Sequence, residues 1–140
     1  AMKPGATTDE ENKLKGKEFL AANKNKEGVK VTDTGLQYKV LKKGKGKKPG
    51  IDDTVVVNYR GIFIDGKEFD SSYSRGEPAT FPLKGVISGW TEALHKMEEG
   101  AKWKLFVPHF IAYGSKGNKP KIKPFQTLIF EVELLEVKSN

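Results

Sequence analysis

Beyond Gly28 the chain reads almost wholly in period two, and one short helical pattern, Glu92 to Glu99, interrupts it. Alternation over a handful of residues sends successive side chains to opposite faces of a strand, so such a chain must bury its apolar positions against a sheet. Thr54 to Phe63 is the clearest strand, dense in β-branched and aromatic residues. Asp65-Gly66 follows it at once, a dipeptide suited to a tight hairpin, and Lys67 to Asp70 forms the return strand. Gly35 to Leu41, Ala79 to Leu83, Lys102 to Pro108 and Thr127 to Leu135 supply the others. In the helical segment Ala93, Leu94 and Met97 share one face, and Gly100 ends it. Strands with hairpin-type connections and one short helix predict an α+β fold, an antiparallel β-sheet wrapped around that helix.

Ahead of Gly28 the signals are helical. Over Thr8 to about Lys24, Thr8 or Asp9 can cap a helix, and Glu10 and Glu11 suit its positive end. Its apolar positions are only Leu14, Phe19 and Leu20, a stripe too thin to bury much. Such a helix reads as a packing arm or the trailing end of a longer helix. The chain therefore divides into a helical arm, residues 1–30, and a compact domain, residues 31–140. Ala1-Met2 looks like a cloning remnant, and Ala1 to Gly5 lacks the apolar core of a signal peptide, so the native amino terminus and any targeting signal are expected to have been removed.

Length and composition exclude several functional classes. A chain of 140 residues can bury a core without disulfides or metals. With no cysteine, disulfide frameworks, zinc–thiolate sites and thiol nucleophiles are ruled out. No apolar run nears the roughly 20 residues of a membrane-spanning helix. The net charge of +7 raises the question of nucleic acid. Much of it sits in Lys39, Lys42, Lys43, Lys45, Lys47 and Lys48, then in Lys116, Lys119, Lys121 and Lys123, all in or beside Gly- and Pro-containing loops. Only Arg60 and Arg75 are arginines, and no basic recognition helix accompanies them. Solvated loops are the plain reading, with no specific nucleic-acid partner; an acidic surface or anionic lipid is the alternative.

Metal and nucleophilic chemistry find no support either. His95 and His109 have no spacing that makes a ligand set. Gly44-Lys45-Gly46 runs into lysines and a proline where a phosphate-binding helix would begin. No metal and no cofactor are expected. What remains is apolar: Tyr59, Phe69, Phe81, Val86, Ile87, Trp90, Tyr113 and Phe130, spread over separate elements. Aromatic residues in strands ordinarily form core. Two features favour a pocket instead. Gly85 and Gly89 allow a sharp turn that leaves an indole face open at a helix start, and Asp70 and Tyr113 place polar handles beside apolar walls.

Taken in order, Val57 to Gly61, Asp65 to Ser72, Phe81, Val86 to Trp90, Ala112 to Gly114 and Leu128 to Leu135 resemble the FK506-binding-protein type of peptidyl-prolyl cis-trans isomerase, over about Gly35 to Val137. Asn23 to Lys26, with Gly35 to Val40, is further similar to the macrophage infectivity potentiator (Mip-like) branch of bacterial members. The resemblance implies an FKBP-like fold and an enzyme that speeds rotation of X-Pro bonds. It implies as partners proline-containing peptides, unfolded or folding proteins, and macrolide inhibitors of the FK506 and rapamycin type. Asp70, Ile87 and Tyr113 are then catalytic, and Tyr59, Phe69, Phe81, Val86, Trp90, Ile122 and Phe130 bind substrate. A periplasmic or outer-membrane-surface location in a Gram-negative bacterium is implied as well. In that branch a long helix leads to an amino-terminal dimerisation domain, so the resemblance implies a full-length homodimer and a monomer for these residues alone. Ser88 stands in the central turn where relatives often have proline, and two departures fall at the rim: Ile122-Lys123-Pro124 stands where the family often has Ile-Pro-Pro, and the 115–121 loop carries three lysines and Pro120. These bear on macrolide affinity and substrate preference more than on basic activity. A noncatalytic module gripping proline-containing segments, and an electrostatic adaptor built on the lysine loops, are the rival readings.

Overall fold

The structure, a computed structural model, describes residues 8–139. Its elements are α1 (Thr8–Asn23), β1 (Val29–Val31), β2 (Gln37–Lys42), β3 (Thr54–Phe63), β4 (Glu68–Ser71), α2 (Ser72–Arg75), β5 (Ala79–Pro82), α3 (Ser88–Lys96), β6 (Lys102–Val107) and β7 (Leu128–Lys138). Short 3₁₀ turns span Leu83–Gly85 and His109–Ile111. The strands form one antiparallel sheet in the order β1-β2-β6-β7-β3-β4, with β5 paired to the first half of β3. The fold is the antiparallel sheet over a short helix that the pattern predicts.

Alternation does the sorting. Val55, Val57 and Tyr59 of β3, Leu105 and Val107 of β6, and Leu128, Phe130, Val132 and Leu134 of β7 are buried on one face of the sheet. Trp90, Ala93 and Leu94 of α3 pack onto them. The approach is close: a Cβ on Gly89 would lie 2.7 Å from Val107 Cγ1. Leu94 and Leu105 are each fully buried, a transfer worth about 1.5–3 kcal/mol per side chain of this size.

The arm α1 covers the other face. Phe106, which alternation turns away from α3, meets Phe19 with ring centroids 6.0 Å apart. The apolar stripe of α1 is as thin as the sequence indicates, and hydrogen bonds take its place. Gln37 Nε2 donates to the Leu20 carbonyl at 2.9 Å, Asn23 Nδ2 to Gln37 Oε1 at 2.9 Å, and Asn12 Nδ2 to the Pro124 carbonyl at 3.1 Å. Gly16 is buried against Thr127, where a Cβ would fall 2.3 Å from the hydroxyl oxygen.

Four local expectations change. Thr8 and Asp9 both lie within α1, so neither stands as its cap. Helix α3 runs over Ser88–Lys96 rather than residues 92–99. Glu99 cannot extend it, because its carbonyl accepts from the N–H groups of Lys45 and Gly46 and its carboxylate from those of Lys47 and Val137. The short strand β1 and the one-turn helix α2 carry too little pattern to be read in advance. β7 reaches Lys138, three residues past the predicted end at Leu135.

Candidate active site

The turn before α3 decides where Trp90 goes. After the Leu83–Gly85 turn, Ile87 sits in an extended conformation (φ −58°, ψ 150°) and its carbonyl accepts from the N–H groups of Trp90 at 2.9 Å and Thr91 at 3.1 Å. The Thr91 hydroxyl donates back to the Leu83 carbonyl at 2.8 Å, closing the turn. Trp90 thus lies in the first turn of α3, only 4% exposed, with the rings of Tyr59, Phe81 and Phe130 edge-on to it at 5.1, 5.8 and 5.2 Å. Such edge-to-face pairs fix ring orientation beyond simple burial. Phe69 of β4 stands edge-on to Phe130 at 5.5 Å and extends the wall.

Together these residues enclose a cavity of about 420 Å³ lined by Tyr59, Phe69, Asp70, Phe81, Gly85, Val86, Ile87, Trp90, Tyr113 and Phe130. Every residue that the resemblance assigns lines it, with the exception of Ile122. Ile122 is buried in the wall of a second cavity of about 250 Å³, which adjoins the first and shares Phe69, Asp70 and Tyr113 with it.

The polar edge of the cavity is a closed network. The Tyr59 hydroxyl donates to Asp70 Oδ2 at 2.5 Å, Arg75 Nη1 to Asp70 Oδ1 at 2.6 Å, and Arg75 Nη2 to the Tyr59 oxygen at 2.9 Å. The Ser71 N–H adds a bond to Asp70 Oδ1 at 2.9 Å. Burial pulls the Asp70 carboxyl upward, but the hydrogen bonds from Tyr59 and Arg75 outweigh it and hold the group below its ordinary range. Burial, then the bond to Asp70, pushes Tyr59 above its ordinary value. The bonds to Tyr59 and Asp70 raise Arg75 in turn. Asp70 is therefore a fixed carboxylate with its oxygens engaged, ill suited to act as a proton shuttle.

Arg75 is the member of this network that sequence reasoning missed. It rides on α2, whose start is capped by the Ser71 hydroxyl accepting from the Ser74 N–H at 3.2 Å and whose end is Gly76 in the left-handed region (φ 77°). A serine followed five residues later by glycine was the available signal. Ser72 ties this turn to β3, its hydroxyl accepting from the Tyr59 N–H at 2.8 Å and donating to Asn58 Oδ1 at 2.9 Å. Tyr113, 37% exposed, closes the site from the loop after β6. Among the described residues no group of three or more His, Asp or Glu side chains is placed to hold a metal ion. The arrangement suits a small apolar ring with an attached amide, held without covalent chemistry.

The family profile described as FKBP-type peptidyl-prolyl cis-trans isomerase matches residues 45–135. The chain belongs to this family. A further profile, the domain amino terminal to FKBP-type peptidyl-prolyl isomerase, matches residues 1–40. Among FKBP-type relatives, the peptidyl-prolyl cis-trans isomerase Mip of Coxiella burnetii is 54% identical over 92% of this chain and 56% of its own length. The FKBP-type isomerase FkpA of Escherichia coli K12 is 54% identical over 91% of this chain and 47% of its own. The chain thus spans about half the length of the curated relatives it matches. The crystal structure of FkpA from Escherichia coli superposes with a TM-score of 0.89 at 53% identity, over 93% of this chain and 61% of that one. An isomerase from Pseudomonas syringae pv. tomato, 41% identical, is covered over 98% of its length, and covers 96% of this chain, with a TM-score of 0.88. This FKBP-type domain is therefore similar in sequence to both Mip and FkpA, and in fold to FkpA.

Proposed function

We propose that the chain catalyses cis-trans isomerisation of X-Pro bonds in peptides and folding proteins, by non-covalent stabilisation of the twisted amide in the Trp90 cavity. The observation that carries this reading is the aromatic cavity itself, floored by Trp90 and edged by an Asp70 whose charge is already matched. Rotation about X-Pro faces a barrier of roughly 18–20 kcal/mol because the amide is partly double-bonded. The twisted form has less resonance and less charge separation, so a water-poor apolar site favours it over the planar form. Trp90 would floor the prolyl ring, with Tyr59, Phe69, Phe81, Val86 and Phe130 as walls and Ile122 behind the rim. The Ile87 N–H, which meets no backbone carbonyl among the described residues, and the Tyr113 hydroxyl would bind the substrate carbonyls. Asp70 would hold Tyr59 and polarise the rotating amide, and Arg75 would hold Asp70.

The same reading extends to the rest of the protein. Macrolides of the FK506 and rapamycin type would fill this cavity as inhibitors. Residues 1–30 would form an arm and residues 31–140 the isomerase domain, with a full-length homodimer joined upstream and a monomer here. A relative 52% identical is named outer membrane protein MIP of Legionella longbeachae, which supports a periplasmic or outer-membrane-surface location. The test is isomerisation of a short X-Pro peptide with and without FK506. Acceleration that FK506 abolishes supports the enzyme at this cavity; FK506 binding without acceleration leaves a noncatalytic binding module.

A further inference from the structure

Beside the Trp90 cavity lies the second one, and its outer wall is basic. Lys119 and Lys121 line it, and Lys121 Nζ donates to the Phe69 carbonyl at 3.2 Å, which holds an ammonium at the partition between the two cavities. Both cavities share Phe69, Asp70 and Tyr113. A peptide with its proline on Trp90 that leaves the cavity past Asp70 and Tyr113 meets these lysines next. The one carboxylate at the partition does not neutralise them, because Asp70 is already paired with Arg75 at 2.6 Å. Lys116 and Lys123, on the same loop, add to the positive field. An exposed basic rim around an apolar pocket sets partner choice and encounter rate more than raw affinity.

We propose that this domain selects X-Pro bonds flanked by an acidic residue, whose carboxylate seats in the second cavity against Lys119 and Lys121. The inference rests on the isomerase reading above and adds the substrate class. It makes Lys119 and Lys121 specificity-determining residues, with no part in the rotation itself.

The test uses three peptides with one X-Pro core and a flanking Glu, Gln or Lys within a few residues of the proline. At low ionic strength kcat/KM is expected to fall in that order, by about threefold at each step, and the differences should collapse near 0.5 M salt, where the screening length shrinks to roughly 4 Å. The Lys119→Gln/Lys121→Gln variant is expected to bring the three rates together. Lys43→Gln/Lys45→Gln, which removes the same charge from the loop bound to Glu99, should preserve the order. Loss of the order in that second variant would assign the effect to net charge and overturn the cavity's role. Equal rates on all three peptides in the unmodified protein would overturn the selectivity and leave the isomerase reading standing. Acceleration of none of them would overturn both.

Discussion

Gly61 and Phe69 stand closer than any side chain at position 61 permits: a Cβ there would fall 2.6 Å from Phe69 Cζ and 3.0 Å from Phe130 Cε1. Bare backbone on β3 lets both rings lean over the strand and close the cavity toward Trp90. Gly61→Ala should force the rings apart, costing about 1–3 kcal/mol of stability as overpacking does and lowering kcat/KM on an X-Pro peptide by roughly tenfold, about 1.4 kcal/mol. Retained circular dichroism with unchanged kinetics would show that the rings relax without loss.

The Asp70 network separates holding from folding. Asp70→Ala leaves the sheet and α3 intact and is expected to reduce kcat/KM by roughly tenfold, about 1.4 kcal/mol, with a modest fall in melting temperature. Undiminished turnover would remove Asp70 from the mechanism.

The same network sets the pH response. Asp70 is held below, and Tyr59 above, its ordinary value, so turnover should be flat from about pH 5 to 9. Because the folded carboxyl is depressed, its contribution to stability is full above the ordinary carboxylate range and is lost as pH falls through the lower folded value. Arg75→Ala removes the ion-paired hydrogen bond that helps to hold Asp70 ionised, so the acid limb of the rate profile should move to higher pH. An unmoved limb would mean that Asp70 does not govern it.

His109 predicts a second acid sensitivity, away from the catalytic edge. Its Nδ1 is buried without a protein partner, and its ring is packed edge-on against Phe110 and Phe125. Burial, and then the charge of Lys13, lowers its pKa. The unfolded chain therefore takes the proton first, so stability should decline as pH drops below about 6.5 and level off once the folded ring also protonates. Urea midpoints of the unmodified protein and of His109→Gln, measured from pH 7 to 5, should diverge, with the variant the flatter.

Gly16 controls the arm. Leu at this position would drive a side chain into Thr127, so α1 should detach despite the better helix propensity of leucine, which is worth under about 1 kcal/mol. Amide hydrogen exchange over residues 8–23 should rise sharply. Turnover should hold, since α1 lies on the face of the sheet opposite the cavity.

Period two made the strands legible: Thr54 to Phe63 coincides with β3 because its buried positions are Val55, Val57, Tyr59 and the space-saving Gly61, with Phe63 next in the same phase. The cavity was legible through Trp90, whose place after a glycine turn follows from local chemistry alone. Arg75 was not, because its partners Asp70 and Tyr59 lie 5 and 16 residues away along the chain and meet it only through a one-turn helix. The docking of α1 was hidden for a different reason. A search for apolar stripes passes over Gly16, Asn12 and Asn23, which bind by close approach and hydrogen bonds. Ile122 was assigned to the pocket by resemblance, yet its side chain serves the neighbouring wall.

The pairing of β7 between β3 and β6 has a bearing on how the domain comes into being. Until residues 128–138 are available, the remaining strands fall into two separate ribbons, β1-β2-β6 and β3-β4-β5, and Phe130 is missing from the cavity. A ribosome still holding that segment carries a chain with both ribbon edges bare, open to pairing with a neighbour. Closure then joins strands far apart in sequence, a slow kind of event. Arrested nascent chains that withhold residues 128–138 should be sensitive to protease throughout, and chains that release them should become resistant in one step.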